Sequence, residues 1–194
     1  LTFVKARGGW ADLCGKTAMR PPSGQCAFEW LEERSVQISV SRNSAARASD
    51  AFAVVADIAS WPGIITSIED VALLDPGPLR AGTRLRIRRI VFGHATAEEL
   101  EIVEIERPRR LRLAGQSRDL HYERDHIIDA MQGGSRLTLI FRPRPSDQVS
   151  RAALPFMTPF MEVNLRDELE QDLVDLAAAI AAKSSETFSN VRRV

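Results

Sequence analysis

Tyr122, Arg124 and His126 stand two residues apart in "LHYERDHIIDA", and residues at that spacing share one face of a β-strand. A phenol, a guanidinium and an imidazole on one surface suit an oxygen-bearing molecule. The phenol can orient an oxygen, the guanidinium can stabilise negative charge on it, and the imidazole can give or take a proton near neutral pH. His126 is therefore the candidate catalytic acid/base, with Tyr122 and Arg124 as candidate ligand contacts. The competing reading of His126 is a hydrogen-bonded core histidine.

Arg89 poses a related question. In "GTRLRIRRIV" Arg84, Arg86 and Arg88 alternate with Leu85, Ile87 and Arg89, so a period of two places Arg89 on the apolar side. Glu98, in the stretch that follows, is its expected partner. The two make either a structural ion pair or a site where Arg89 holds a carboxylate, phenolate or enolate oxygen. A dry pair is unfavourable because desolvation offsets its attraction, so a hydrated cavity suits both charges better.

The elements that must position these groups follow from periodicity. Val36, Ile38 and Val40 alternate with polar residues as in a half-buried strand. "ASDAFAVVADIASWPGII" predicts a helix capped by Ser49 or Asp50, with Phe52, Val55, Ala56 and Ala59 on one face, ended by Pro62-Gly63. "SIEDVALLD" predicts a second strand. Gly93-His94 has the form of a two-residue hairpin loop, which pairs Arg89 with Glu98, Ile87 with Leu100, Arg88 with Glu99 and Arg86 with Glu101. Gly133-Gly134 suits a second such loop, pairing Ile128 with Leu139 and His126 with Phe141. A strand near Leu111 to Gly115 lies between, and the parity of its inward residues requires a bulge near Val103 that turns Ile105 inward. From about Phe160 to Lys183, Met161, Leu165, Leu169, Leu173, Leu176 and Ile180 recur every three or four residues, the mark of one amphipathic helix. Phe141, Met157 and Met161, with Phe92, Phe156 and Phe160, are candidates to line a cavity or its mouth, although such residues also build ordinary cores.

Composition narrows the classes of function. The 26 basic and 26 acidic side chains balance to a net charge of zero, which argues against a nucleic-acid or anionic-membrane partner. His94, His121 and His126 are dispersed, and Cys14 and Cys26 lack flanking histidines, so no metal site is expected. The glycine pairs lack the strand-to-helix context of a phosphate loop, and no tightly held cofactor is expected. No apolar run reaches the roughly 18 to 20 residues of a membrane span, and the start lacks a secretory apolar region. The chain reads as cytoplasmic. Residues 1–34 show no sustained period and are read as a poorly ordered leader, 35–183 as the domain and 184–194 as a flexible tail.

Strand, helix, short helix, six antiparallel strands and a long final helix make an α+β protein. In that order, "ASDAFAVVADIASWPGII", "LRAGTRLRIRR", "VEIERPRRL", "GGSRLTLIF" and the leucine-rich final helix resemble the START/Bet v 1-like (SRPBCC) superfamily, above all its polyketide cyclase/dehydratase branch. The resemblance covers roughly Ser35 to Lys183. It implies a helix-grip fold, a curved antiparallel sheet wrapped around a long C-terminal helix with a hydrophobic cavity. It also implies binding or transport of a small hydrophobic molecule such as a lipid, polyketide or aromatic compound. The alternative it offers is a cyclase/dehydratase-like enzyme, with His126 as acid/base and Arg89, Tyr122 and Arg124 orienting ligand oxygens during an aldol cyclisation or dehydration. Asp57 and Trp61-Pro62 match a pattern that is largely structural in such proteins.

Overall fold

The structure, a computed structural model, describes residues 37–91, 93–117, 120–145 and 148–191, with the backbone alone at 117, 120, 145, 148–161 and 186–191. The expected leader and the two cysteines lie outside this range. Seven strands and two α-helices are described: β1 (Ile38–Ser44), α1 (Ala48–Val55), a 3-10 helix (Ile58–Gly63), β2 (Ile68–Leu73), β3 (Arg84–Val91), β4 (His94–Glu106), β5 (Arg110–Ser117), β6 (Leu120–Met131), β7 (Gly134–Pro145) and α2 (Gln148–Val191). The sheet is antiparallel throughout and runs β1-β7-β6-β5-β4-β3-β2. Helix α2 packs on β1, β7 and α1, burying Leu169, Leu173, Leu176 and Ile180 against the inward-facing strand residues. This is the helix-grip α+β fold.

Alternation within each strand sets the two faces. Leu85, Ile87, Leu100, Ile102, Leu111 and Leu113 are buried, while Arg84, Arg86 and Arg88 stay on the outer face and pair with Asp75, Glu99 and Glu69 at 3.0, 2.6 and 2.8 Å. The bulge expected near Val103 is present: register shifts between Ile102 and Glu104, Val103 is exposed, and Ile105 pairs with Leu111 and packs on the core.

Both hairpin registers differ from expectation by two residues. Arg89 pairs with Thr96 and Ile87 with Glu98, closing a loop at residues 92 and 93. His126 pairs with Leu139 and Ile128 with Leu137, closing a loop at 132 and 133. In each case the glycine takes the second loop position with a positive φ, +76° at Gly93 and +85° at Gly133, where residues with a Cβ are strained. Gly134 serves a different purpose. A Cβ there would lie 3.0 Å from the Ala45 Cα, so the second glycine of the pair lets β7 approach the chain leaving β1. A slip of two preserves the faces, because the strand period is two, and the expected inward residues remain inward.

Both ends of each helix also differ. Helix α1 starts at Ala48 with Arg47 at its N-cap and no side-chain cap, while Asp50 accepts from Arg47 Nε at 3.1 Å. The reason is upstream: Ser135 Oγ donates to the Ala46 carbonyl at 2.9 Å in a buried contact, so the chain is already turning there. The helix ends at Val55, and Pro62 lies within the 3-10 helix instead of ending α1. Helix α2 begins at Gln148, before Pro155 and Pro159, and continues past Lys183 to Val191. Ser184 and Ser185 Oγ bond back to the carbonyls of Ile180 and Ala181, extending the helix where the apolar stripe has ended.

Candidate functional site

Arg89 is 2% exposed on the concave side of β3, and its partner comes from the helix. The Nη2 group donates to Asp172 Oδ2 at 3.0 Å and to Ser67 Oγ at 3.0 Å, and Ser67 Oγ in turn donates to Asp172 Oδ1 at 2.9 Å. Burial pushes the Arg89 guanidinium below its usual pKa, with the like charge of Arg124 adding to the effect and Asp172 opposing it. An arginine nevertheless stays protonated in a protein. Asp172 thus answers for a buried cation. The expected Arg89–Glu98 pair does not form, because the actual register sets Glu98 beside Tyr122.

Tyr122 donates its hydroxyl to Glu98 Oε2. Burial is the main reason its pKa is raised well above the ordinary phenol value, so the hydroxyl keeps its proton for that bond. The ring stacks on Phe141 at 5.1 Å, and the Arg124 guanidinium lies over both rings at 5.6 and 5.8 Å, a cation–π arrangement. Gly115, paired with Tyr122 across β5 and β6, makes this possible. A Cβ there would fall 2.6 Å from Tyr122 Cζ and would also strike Leu100. Gly115→Ala is therefore expected to cost about 1–3 kcal/mol through overpacking, which thermal and urea denaturation would measure. Unchanged stability would mean that the ring does not occupy this place.

His126 is 6% exposed, with the Trp61 ring 5.4 Å away. Trp61 is held by its own Nε1–H, which donates to the Val55 carbonyl at 3.2 Å. Burial, seconded by Arg124 and opposed by Asp172, brings the imidazole pKa down to about 4. At physiological pH it is neutral, and its Nδ1 has no hydrogen-bond partner. Asp125, adjacent in sequence, points to the other face of the sheet and takes hydrogen bonds from Arg112, at 2.7 Å, and from Arg142.

These groups converge on a cavity of about 20 Å³, room for roughly one water molecule. Arg89, Glu98, Arg124, His126 and Asp172 form its polar lining, and Trp61, Ile65, Ile68, Ile87, Leu100 and Leu113 its apolar lining. Four of the residues expected from sequence reach the wall. Tyr122 and Phe141 stand behind it, and the side chains of Met157 and Met161, like Phe92, Phe156 and Phe160, lie outside the described residues. The structure adds Asp172. The loop from Ile64 to Ser67 closes one side and is fastened to α2 by polar contacts: Thr66 N–H donates to Asp175 Oδ2 at 2.7 Å, and Ser67 reaches Asp172. Among the described residues, no group of three His, Cys, Asp or Glu side chains is placed to hold a metal ion, and no helix is long and apolar enough to cross a membrane.

No curated protein matches the sequence. Among solved structures, a START superfamily protein from Mycobacterium smegmatis superposes with a TM-score of 0.62 at 14% identity, covering 74% of this chain and 96% of its own. The protein TTHA0849 from Thermus thermophilus gives 0.60 at 17% identity, covering 77% and 99%. The Zhui aromatase/cyclase from Streptomyces sp. R1128 gives 0.59 at 16% identity, covering 76% and 94%. At such identities the likeness concerns the fold. Residues 35–181 match the family described as polyketide cyclase/dehydrase and lipid transport, and the chain belongs to that family, with the fold of the START superfamily protein.

Proposed function

We propose that the concave side binds a small hydrophobic molecule, with an oxygen at the Arg89–Arg124–His126 end and its apolar part against Trp61, Ile65 and Leu113. One observation carries this reading. Three nitrogens on the cavity wall, Nε of Arg89, Nε of Arg124 and Nδ1 of His126, are buried without a hydrogen-bond partner. A buried donor left unpaired costs about 1–3 kcal/mol, and a ligand oxygen placed among them would recover part of that. The family description, which joins cyclases with lipid transport, supports the same reading. A carbon skeleton requires the pocket to widen, and the Ile64–Ser67 loop, fastened by polar contacts to Asp172 and Asp175, is the segment whose release would widen it.

A second reading, a polyketide cyclase/dehydratase-like enzyme, is favoured by the neutral state of His126. A buried neutral imidazole can accept a proton from carbon beside a carbonyl, while Arg89 and Arg124 stabilise the enolate oxygen that results. Tyr122, committed to Glu98, acts in this reading as a support for the wall and not as an orienting group. The likeness to an aromatase/cyclase supports it.

Native mass spectrometry of protein isolated from its own host, followed by release of any bound molecule, tests the first reading; a hydrophobic ligand at one per chain is expected. Finding none, together with no saturable uptake of Nile red, would sink it. For the second, His126→Gln is expected to lower turnover by about 10²-fold or more while affinity is retained. Parallel loss of affinity and turnover would return His126 to a binding role.

A further inference from the structure

We propose that Glu98, held in place by Tyr122, sets the charge preference of this pocket and makes it select neutral carbonyl ligands over carboxylates. The inference rests on the binding reading above and concerns what that site accepts. Two guanidinium groups alone would make the cavity a trap for anions. The lining, however, also carries two carboxylates, Asp172 and Glu98. Asp172 is spent on Arg89, and its approach to Arg124 is long, 4.0 Å. Glu98, on the same wall and acting on Arg89, supplies the second negative charge of the lining. Glu168 acts on Arg89 as a further carboxylate. With His126 neutral, the wall carries no excess positive charge for an anionic ligand to neutralise.

A carboxylate entering the pocket would bring an additional charge into a poorly hydrated space already holding its own anions, an unfavourable step when no cation is free to meet it. A ketone faces no such penalty. Its oxygen accepts hydrogen bonds from the unpartnered Nε of Arg124 and, where the ring tautomer allows, from His126. Tyr122 keeps Glu98 from turning away, and Gly115 gives the Tyr122 ring the space to do so. Glu98 is thus a specificity-determining residue, and Tyr122 and Gly115 are its positioning residues.

Calorimetric titration with methyl naphthyl ketone and with the naphthoate of the same ring position, at neutral pH, tests this. The two probes share an apolar body and differ in charge. Wild-type protein is expected to bind the ketone at least about tenfold more tightly, since like charges a few ångströms apart in a partly buried site repel by more than that factor. Glu98→Gln should reduce or invert the ratio by about tenfold or more, by the same Coulomb argument. Tyr122→Phe, which keeps the charge of Glu98 but frees it to turn away, should weaken the ketone preference by less than Glu98→Gln does. Equal affinities in the wild type, or a ratio unmoved by Glu98→Gln, overturns the inference while leaving the binding reading intact. A ratio that Tyr122→Phe leaves at the wild-type value overturns the role given to Tyr122 in holding Glu98. No binding of either probe to any of the three proteins refutes the binding reading itself, and this inference with it.

Discussion

Asp172→Ala is expected to destabilise the protein by about 3–5 kcal/mol, the usual result of leaving one member of a buried ion pair without the other. Arg89 and Asp172 have side chains only 2% and 8% exposed, so water and salt screen neither effectively. The aspartate also accepts from Ser67 and stands near Arg124. Its loss therefore strands a cation, leaves two neighbouring guanidinium groups with less negative charge beside them and frees the rim loop at one of its two fastenings. The double variant Arg89→Met/Asp172→Leu should regain most of the lost stability, since replacing a whole buried pair by apolar residues is often neutral or better. Urea unfolding followed by tryptophan fluorescence would measure all three proteins. A single variant within about 1 kcal/mol of wild type, the range of an exposed pair, would mean that Arg89 is in fact solvated and that the polar end of the cavity is wrongly drawn.

Acid should expose His126 next. Above about pH 6.5, the ordinary imidazole value, the ring is neutral in folded and unfolded chains alike and contributes no pH dependence. Below that, the unfolded chain binds a proton near its ordinary pKa, whereas the folded chain resists until about 4. The unfolded state thus holds more protons through this window, and stability rises with pH across it. As pH falls, the loss begins near 6.5 and is complete near 4, reaching on the order of 3 kcal/mol for a shift of this size. Carboxylates titrate in the lower part of the same range. The difference between wild type and His126→Gln, measured by urea unfolding at several pH values, isolates the imidazole. A difference that does not vary with pH would place His126 in contact with water and would remove the neutral base from the enzymatic reading.

Much of this site was legible from alternation alone. Arg89 lies between Ile87 and Val91 at spacing two, and His126 shares its face with Tyr122, Arg124 and Ile128; both are buried where alternation puts them. The bulge at Val103 was legible because the inward residues of β4 and β5 could not otherwise meet. The partner of Arg89 was not. Glu98 was the near candidate within the hairpin, but pairing it with Arg89 assumed a loop one position too far along, and a slip of two changes partners without changing faces. Glycines at 93, 133 and 134 offered more than one plausible loop. Asp172 did carry a signal: with Leu165, Leu169 and Leu176 it keeps the spacing of the stripe, so an acid sits where a leucine belongs. One charge out of place on a strand and another on a helix suggest a pair. Joining them, however, requires knowing how α2 lies across the sheet, a contact 83 residues apart in sequence. The extent of the cavity is equally a product of tertiary packing, since it depends on how far the Ile64–Ser67 loop is drawn to the helix.

The place of β1 in the sheet bears on how the chain is made. Strands β2 to β7 are neighbours in space in the order in which they are synthesised, so each can pair with the one before it as it emerges. Strand β1 is the exception: Ile38 pairs with Phe141 and Val40 with Leu139, on the last strand of all. Until β7 exists, β1 has an open edge and two apolar side chains with nothing to cover them, the circumstance in which strands associate with the wrong partner. Its sequence, "ISVSRNS", tempers that exposure, with serines, an arginine and an asparagine filling the rest of the strand. Charge and polarity of this kind act as gatekeepers in a waiting strand. The same composition that makes β1 a modest contributor to the finished core lets it remain unpaired through the synthesis of the rest of the sheet.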